Sequence, residues 1–205
     1  MNTMLYTIPV LIGYILGCSN LAYYIGRLKN KDLRGGGSGT LGASNATILL
    51  GWGAGVAVAI HDIGKAFLAV FLVKRLFPEL EYAGVAAGVA SVCGHIFPFY
   101  LKFKGGKGFA SYFGLTLALN WKLALVIAAV VIVVTVVTDY IVVGTFSTIV
   151  LVPTYMGITT HNWIMFSILL VGTQVIFFKH RENIVRLARR QEIGLRSAMR
   201  GDHRK

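Results

Sequence analysis

The stretch Leu123-Ala-Leu-Val-Ile-Ala-Ala-Val-Val-Ile-Val-Val-Thr-Val-Val137 contains no charged residue. It belongs to a largely apolar tract that runs over residues 109–178. In the whole chain of 205 residues, 56% are apolar, only 14% are charged, and the mean hydropathy is +0.69. A water-soluble domain normally carries about a quarter charged residues. The chain is therefore predicted to be an all-α polytopic membrane protein.

The number of spans is predicted from the polar residues that separate the apolar segments. Segments at about residues 4–25, 47–73 and 83–100 precede the long tract. Polar residues at about 120–122, 138–140 and 159–163 divide that tract into four pieces, of which the first two are shorter than the roughly 20 residues that a bilayer requires. Seven transmembrane helices are predicted. An alternative with five helices treats residues 109–137 as one long tilted helix.

The formal net charge of +12 is concentrated in three clusters beside the spans. Cations occur at residues 27–34 and 102–107, and nine more lie between Lys179 and Lys205. The positive-inside rule predicts that all three clusters are cytoplasmic. The N-terminus is then outside, and residues 180–205 form a basic cytoplasmic tail of a single domain that covers residues 1–205. We expect contact with membrane lipids and no nucleic-acid binding, because no aromatic residues are interleaved with the charges.

Two of the cytoplasmic loops combine glycine with polar groups. They read Arg34-Gly-Gly-Gly-Ser-Gly-Thr-Leu-Gly-Ala-Ser-Asn45 and Lys102-Phe-Lys-Gly-Gly-Lys-Gly108. Glycine allows backbone N–H groups to close around phosphoryl oxygens, and lysine adds a positive charge. The pair favours an enzyme that handles phosphorylated substrates, although glycines can also simply loosen connecting segments. A dinucleotide site at Gly37-Ser-Gly-Thr-Leu-Gly42 is rejected, because this match follows a transmembrane segment and not a strand.

Ionisable residues also occur near or inside the spans. Asp62 and Lys65 are three residues apart and can pair on one helix face. Such a pair is either structural or lines an active-site cavity. His95 lies at the cytoplasmic end of the third span, where it is either a helix cap or functional. The stretch His180-Arg-Glu-Asn183 combines a base, a cation, an acid and an amide. No cofactor motif and no metal-ligand spacing is recognised.

Taken in order along the chain, these motifs resemble those of PlsY-type acyltransferases. They are Gly37–Asn45, Asp62-Ile-Gly-Lys65, Gly94-His-Ile-Phe-Pro98, Phe103-Lys-Gly-Gly-Lys-Gly108 and His180-Arg-Glu-Asn-Ile184. The resemblance covers about residues 5–190. It implies a seven-helix enzyme of the bacterial cytoplasmic membrane with three cytoplasmic active-site loops. Such an enzyme transfers a fatty acyl group from acyl phosphate to the 1-hydroxyl of glycerol 3-phosphate and forms lysophosphatidic acid. No cofactor is implied, and we expect a monomer.

The resemblance also implies roles for individual residues. The catalytic residues would be Ser38, Asn45, Lys107, His180 and Asn183. Residues that bind or surround the substrate phosphate would be Gly37, Gly39, His95, Lys104, Gly105, Gly106, Gly108 and Glu182. Asp62 and Lys65 would have supporting roles, and no metal ligands are implied.

Four positions depart from the family pattern. Thr40 replaces an expected asparagine, and Ile48 replaces an arginine. Asp139 and Val142 stand where an arginine and a serine are expected. The loss of two cations and a hydroxyl predicts weaker phosphate binding. Two alternatives therefore stay open: a non-catalytic paralogue that binds phospholipid precursors or partner proteins, and a small transporter. The transporter fits less well, because transport sites usually lie near the bilayer midplane.

Overall fold

The computed structural model describes residues 3–200 and consists of helices and connecting loops in that range, with no strand. The prediction of an all-α fold is therefore confirmed for the described part of the chain. Short 3-10 helices cover Thr3–Tyr6, Leu33–Gly35 and Phe99–Leu101. The α-helices are α1 (Thr7–Cys18), α2 (Leu21–Leu28), α3 (Ala43–Leu50), α4 (Trp52–Leu76), α5 (Ala83–Ile96), α6 (Phe109–Leu119), α7 (Trp121–Thr138), α8 (Ile141–Thr160), α9 (Trp163–Lys179), α10 (Arg181–Ala188) and α11 (Leu195–Arg200).

Several of these helices have the length and apolar composition of membrane spans. Five segments qualify within residues 3–200: Met4–Leu28, Trp52–Leu76, Ala83–Leu101, Trp121–Thr138 and Ile141–Thr160. A sixth candidate forms if α9 and α10, which are bent by 49° at their junction, count as one span. Helix α6 is only about 16 Å long, which is less than the hydrocarbon core of roughly 30 Å. Multiple spans are thus confirmed, whereas the number seven and the orientation of the termini stay predictions.

The structure corrects two of the predicted boundaries. The single long helix over residues 109–137 is wrong, because Asn120 has an extended backbone (φ −152°, ψ 97°) that separates α6 from α7. The second span begins at Trp52, five residues later than predicted, because Gly51 has a φ of 91° and ends α3. A left-handed φ of this kind costs glycine little and interrupts a helix.

The helices form two compact units, one ending at Asn120 and the other beginning at Trp121. In the first unit α1 packs against α5, and α4 packs against α6. These helix pairs approach closely where glycine lies at the contact. A Cβ at Gly17 would collide with the backbone of Ser91, and one at Gly114 with the backbone of Ile63. Close backbone contact of this kind is typical of helix association in membranes, and here it encloses a set of buried polar side chains.

The second unit is built from α7, α8 and α9 with the C-terminal segment. Helix α8 packs against both α7 and α9, and the Thr173 hydroxyl of α9 donates to the Ile149 carbonyl of α8 at 2.8 Å. After α10 the chain returns to the α7–α8 junction, where the backbone N–H of Leu195 donates to the Asp139 carbonyl at 2.7 Å. The tail up to residue 200 is therefore folded onto its own unit. Whether residues 1–205 act as a single domain stays a prediction.

Candidate active site

Asn45 organises the first glycine-containing loop. Its side chain is completely buried at the start of α3. Its Oδ1 accepts a hydrogen bond from the Ser38 backbone N–H at 2.7 Å. Its Nδ2 donates to the carbonyl oxygens of Leu33 at 2.7 Å and Thr40 at 2.8 Å. All the polar atoms of this amide are thus used to close the loop, so the geometry gives Asn45 a loop-shaping role.

Ser38 lies half-buried within the loop that Asn45 closes. Its hydroxyl oxygen is 3.1 Å from that of Thr40, so the residue that replaces the expected asparagine supplies a neighbouring hydroxyl group. Gly37 and Gly39 have φ values of 57° and 68°. These left-handed conformations favour glycine, which explains why both neighbours of Ser38 lack a side chain.

An exposed ion pair lies at the entrance to the same loop. The Arg34 side chain donates to both carboxylate oxygens of Asp32, with its shortest contacts from Nε to Oδ1 at 2.9 Å and from Nη2 to Oδ2 at 2.8 Å. These bonds lower the pKa of Asp32 and raise the pKa of Arg34. Within the cluster of cations at residues 27–34, Arg34 is therefore paired with a neighbouring carboxylate.

The second glycine-containing loop is folded against the end of α5. The backbone N–H of Gly105 donates to the Ile96 carbonyl and that of Gly106 to the His95 carbonyl, both at 3.1 Å. These two N–H groups were expected to close around a phosphate, and in this conformation they are engaged by protein carbonyls instead. Gly108 has a φ of 93° and ends the loop immediately before α6. Lys107 is half-buried, whereas Lys104 is exposed.

The two loops contact each other directly. The backbone N–H of Leu41 donates to the Gly105 carbonyl at 3.3 Å. The Leu41 side chain is buried in one apolar cluster with Leu33 and Leu101, which flank the two loops. The Leu41 carbonyl in turn accepts a hydrogen bond from Asn20 Nδ2 at 3.2 Å. The first and second glycine-containing loops, which belong to separate sequence motifs, therefore lie in contact with each other.

A buried polar cluster lies between α1, α4 and α5. The predicted pairing of Asp62 with Lys65 is confirmed, with Nζ 2.7 Å from Oδ1. Lys65 Nζ also contacts the Ser19 carbonyl at 2.7 Å and His95 Nδ1 at 2.9 Å. His61 joins the cluster through its Nε2, 3.0 Å from the Ser19 hydroxyl oxygen. The sequence places His61 in the second span beside Asp62 and Lys65. Sequence reasoning missed Ser19, although a polar Ser19-Asn20 pair inside an apolar span is a signal of a break in the helix.

His180 belongs to the second unit and follows α9. It is buried, and its Nδ1 is 2.9 Å from the Ile176 carbonyl oxygen. A carbonyl can only accept a hydrogen bond, so Nδ1 carries the hydrogen. In the neutral ring the lone pair is then on Nε2. In this tautomer, Nε2 of His180 can accept a proton.

Asn183 is also buried, and its side chain is held by the tail. Its Nδ2 donates to Glu192 Oε1 at 2.5 Å, and Arg186 Nε donates to Glu192 Oε2 at 2.7 Å. Sequence reasoning did not identify Glu192, because its only signal is that it is an acidic residue in a basic segment. Glu182, which was predicted beside the substrate phosphate, is exposed and lies 4.0 Å from Arg186.

The departures from the family pattern have structural roles. The Asp139 carboxylate accepts a hydrogen bond from the Arg196 backbone N–H at 2.9 Å and thereby anchors the tail. Val142 is buried in the first turn of α8. Ile48 is half-buried beside Gly37. None of these three side chains offers a cation to a phosphate. Over residues 3–200, no group of three or more His, Cys, Asp or Glu side chains has an arrangement that could hold a metal ion.

Known sequences are similar to almost the entire chain. A model of the glycerol-3-phosphate acyltransferase family matches residues 7–190. "Glycerol-3-phosphate acyltransferase 1" of Oceanobacillus iheyensis is 38% identical over 207 residues, covering 95% of this chain and 97% of the relative. The glycerol-3-phosphate acyltransferase of Prochlorococcus marinus (strain MIT 9215) is 35% identical over 188 residues, covering 89% of this chain and 94% of the relative.

Solved structures agree with the sequence comparison. The crystal structure of PlsY, an integral membrane glycerol 3-phosphate acyltransferase, in its glycerol 3-phosphate form has a TM-score of 0.87 and 30% identity. It covers 92% of this chain and 94% of PlsY. The lysophosphatidic acid form of PlsY has a TM-score of 0.84 and 28% identity, with coverage of 95% and 98%. The chain belongs to the glycerol-3-phosphate acyltransferase family.

Proposed function

We propose that this chain takes a fatty acyl group from acyl phosphate and transfers it to the 1-hydroxyl of glycerol 3-phosphate. It is a membrane glycerol-3-phosphate acyltransferase, as its family membership and its likeness to PlsY indicate, and its product is lysophosphatidic acid. The observation that best supports acyl phosphate as donor is the hydrogen bond from Leu41 to Gly105. This hydrogen bond joins the first glycine-containing loop, which carries the Ser38 and Thr40 hydroxyl groups, to the second, which carries three lysines. Two adjacent groups of donors suit a reaction in which each substrate carries a phosphate group.

The proposed reaction needs no cofactor. The 1-hydroxyl oxygen of glycerol 3-phosphate attacks the carbonyl carbon of acyl phosphate and forms the new ester C–O bond. The C–O bond to phosphate breaks, and phosphate leaves with the bonding electron pair. The hydroxyl proton passes to an oxygen of the leaving phosphate or to Nε2 of His180. Because phosphate is a good leaving group, a covalent enzyme intermediate is unnecessary.

The charged and polar side chains have distinct proposed roles. Lys107 places an ammonium group near a substrate phosphate, and charge-assisted hydrogen bonds of this type are stronger than neutral ones. Donors fixed in advance also stabilise the negative charge that develops on the carbonyl oxygen. Ser38 offers a hydroxyl donor in the adjoining loop. Asn45 and Asn183 act by holding the loop and helix α10 in place.

The decisive assay uses purified wild-type protein, glycerol 3-phosphate and an acyl phosphate, with lysophosphatidic acid as the measured product. The same protein is assayed with acyl-CoA as the control donor. Product from acyl phosphate alone supports the proposal, whereas product from acyl-CoA alone overturns the assigned donor. Native mass spectrometry of the same preparation checks the expectation of a monomer.

The protein is further proposed to lie in the bacterial cytoplasmic membrane with its cation clusters on the cytoplasmic face. Single cysteines introduced as Gly36→Cys and Arg190→Cys should then react from the cytoplasm, and Glu79→Cys from outside. Cys18 and Cys93 are first replaced by serine so that only the new thiol is labelled. Cytoplasmic labelling of residue 79 with external labelling of residue 36 would reverse the topology.

A further inference from the structure

Lys65 is a charged side chain buried inside the first unit, with only 6% of its surface exposed. An ammonium group has three N–H donors and no acceptor. Three partners lie within reach of Nζ: Asp62 Oδ1 at 2.7 Å, the Ser19 carbonyl at 2.7 Å and His95 Nδ1 at 2.9 Å. Each donor therefore has one partner. A charge inside a membrane span is costly and usually serves a function.

The contact with Lys65 determines which nitrogen of His95 carries the hydrogen. Because the ammonium can only donate, His95 Nδ1 must present its lone pair, and the neutral ring then carries its hydrogen on Nε2. Asp62 Oδ1 is 3.3 Å from the same Nδ1, which is longer than the 2.9 Å contact with Lys65. The Asp62 carboxylate is therefore paired with the Lys65 ammonium group, and Lys65 orients the His95 imidazole.

His95 Nε2 lies at the second glycine-containing loop. A Cβ on Gly106 would collide with this nitrogen. The backbone N–H groups of Gly105 and Gly106 already donate to the Ile96 and His95 carbonyls. These two glycine amides are therefore engaged within the protein, and His95 Nε2 lies directly beside Gly106. Among residues 3–200, no protein acceptor contacts Nε2, although His95 is only 3% exposed.

We propose that the Nε2–H of His95 donates a hydrogen bond to a phosphate oxygen of a substrate, and that Lys65 is the positioning residue that holds His95 in this tautomer. The inference rests on the proposed function, because the substrates supply the phosphate. A phosphate monoester on glycerol 3-phosphate and the phosphoryl group of acyl phosphate offer the same acceptor chemistry. Separate kinetic measurements on the two substrates identify which of them His95 contacts.

The tautomer is tested independently of activity by nitrogen NMR of protein labelled with ¹⁵N-histidine. The His95 signals are assigned by their loss in His95→Gln. Wild-type His95 should show a protonated Nε2 and an unprotonated Nδ1, and Lys65→Met should shift the ring toward a mixture of tautomers. A protonated Nδ1 in the wild type overturns the inference. This result stands even if the wild type fails to use acyl phosphate, so the two proposals can fail separately.

The hydrogen bond to substrate is tested with two amide variants. The glutamine amide nitrogen reaches about the place of Nε2, whereas the asparagine amide nitrogen reaches about the place of Nδ1. His95→Gln should therefore keep a near-wild-type KM, and His95→Asn should raise the KM of one substrate about tenfold, since a hydrogen bond to a charged group is lost. His161→Gln, in an exposed residue at the end of α8, serves as the control. A wild-type KM for both substrates in folded His95→Asn overturns the assignment.

Lys65→Met separates positioning from simple stabilisation. It should raise the KM of the same substrate as His95→Asn does, and the double variant should be no worse than His95→Asn alone. Thermal unfolding in detergent reports the fraction of folded protein for each variant. A folded Lys65→Met protein with a lower Tm and an unchanged KM shows a merely structural lysine and overturns the positioning role.

Discussion

The Glu192 carboxylate accepts hydrogen bonds from Asn183 Nδ2 at 2.5 Å and from Arg186 Nε at 2.7 Å, one on each oxygen. Both donors lie on α10, whereas Glu192 lies in the segment that follows it. The tail therefore fixes the rotamer of Asn183, a residue for which the family resemblance implies a catalytic role. It also holds α10 at the end of α9, where the chain bends by 49°. A residue outside the recognised motifs thus determines the geometry of the motif His180-Arg-Glu-Asn-Ile184.

Removing this carboxylate should destabilise the second unit. Glu192→Ala removes one hydrogen bond from the buried Asn183 amide and one from the Arg186 guanidinium, and hydrogen bonds to charged groups are worth about 1.5–3 kcal/mol. We expect a lower Tm in detergent and reduced acyltransfer. Glu182→Ala is the matched control, because Glu182 is exposed and 4.0 Å from Arg186. It should change stability by less than about 1 kcal/mol. Equal Tm values for the two variants would contradict the role of Glu192.

Asn45→Asp should open the first loop without changing the size of the side chain. Asn45 Nδ2 donates to the Leu33 and Thr40 carbonyls, and a carboxylate at this position has no hydrogen to donate. Each buried group that loses its partner costs about 1–3 kcal/mol. Hydrogen exchange over residues 33–45 should accelerate, with a fall in activity. Asn30→Asp, at an exposed residue, should leave exchange in this loop unchanged. Slow exchange retained in Asn45→Asp would show that the three hydrogen bonds do not hold the loop.

Gly106→Ala tests the contact between the second loop and His95. The added methyl group would collide with the imidazole, so either the loop or the ring must move. A misplacement of about 1 Å in an active site can cost about 100-fold in rate. We expect kcat/KM to fall by about tenfold to 100-fold. Gly35→Ala is the control, since a Cβ there meets nothing within 4 Å. Similar kcat/KM values in the two variants would show that the loop tolerates displacement.

The sequence predicted several of the spans because their signals are local. Apolar length identified α4, α5 and α8, and the spacing of Asp62 and Lys65 predicted their ion pair. The partners of that pair could not be predicted, because Ser19 follows the end of α1 and His95 lies on α5. Their approach to Lys65 depends on how closely these helices pack against α4. Gly105 and Gly106 show a similar limit. Glycine content indicates that a backbone can approach another group, but it cannot say whether that group is a phosphate or, as here, a neighbouring carbonyl.

Lys107→Ala should reduce turnover by about tenfold or more. The reason is the loss of the proposed charge-assisted hydrogen bond to a substrate phosphate, worth about 1.5–3 kcal/mol. Steady-state kinetics with each substrate varied in turn provide the measurement. Lys102→Asn is the control, because Lys102 is exposed in the same loop with a φ of 55°, which asparagine also adopts. Wild-type kinetics in a folded Lys107→Ala protein would remove Lys107 from the mechanism.

The departures from the family pattern predict weak or altered activity with glycerol 3-phosphate. Ile48 and Val142 stand where the family resemblance leads us to expect an arginine and a serine. If those residues bind phosphate in relatives, the phosphate here lacks two donors unless neighbours compensate. The double variant Ile48→Arg, Val142→Ser should lower the KM for glycerol 3-phosphate. Because Val142 is only 2% exposed, Val142→Ser should also cost roughly 0.5–3 kcal/mol of stability, and Tm is measured alongside the kinetics.

Ile48→Met, Val142→Ala is the matched control, since it perturbs both sites and adds no donor. The Oceanobacillus iheyensis relative provides the reference activity. A wild-type protein that already equals this relative, and a double variant that gains nothing, would show that the two positions do not face substrate. A lower KM in the arginine–serine variant alone would mean that the substituted side chains supply the missing donors, because the control has lost the same native side chains.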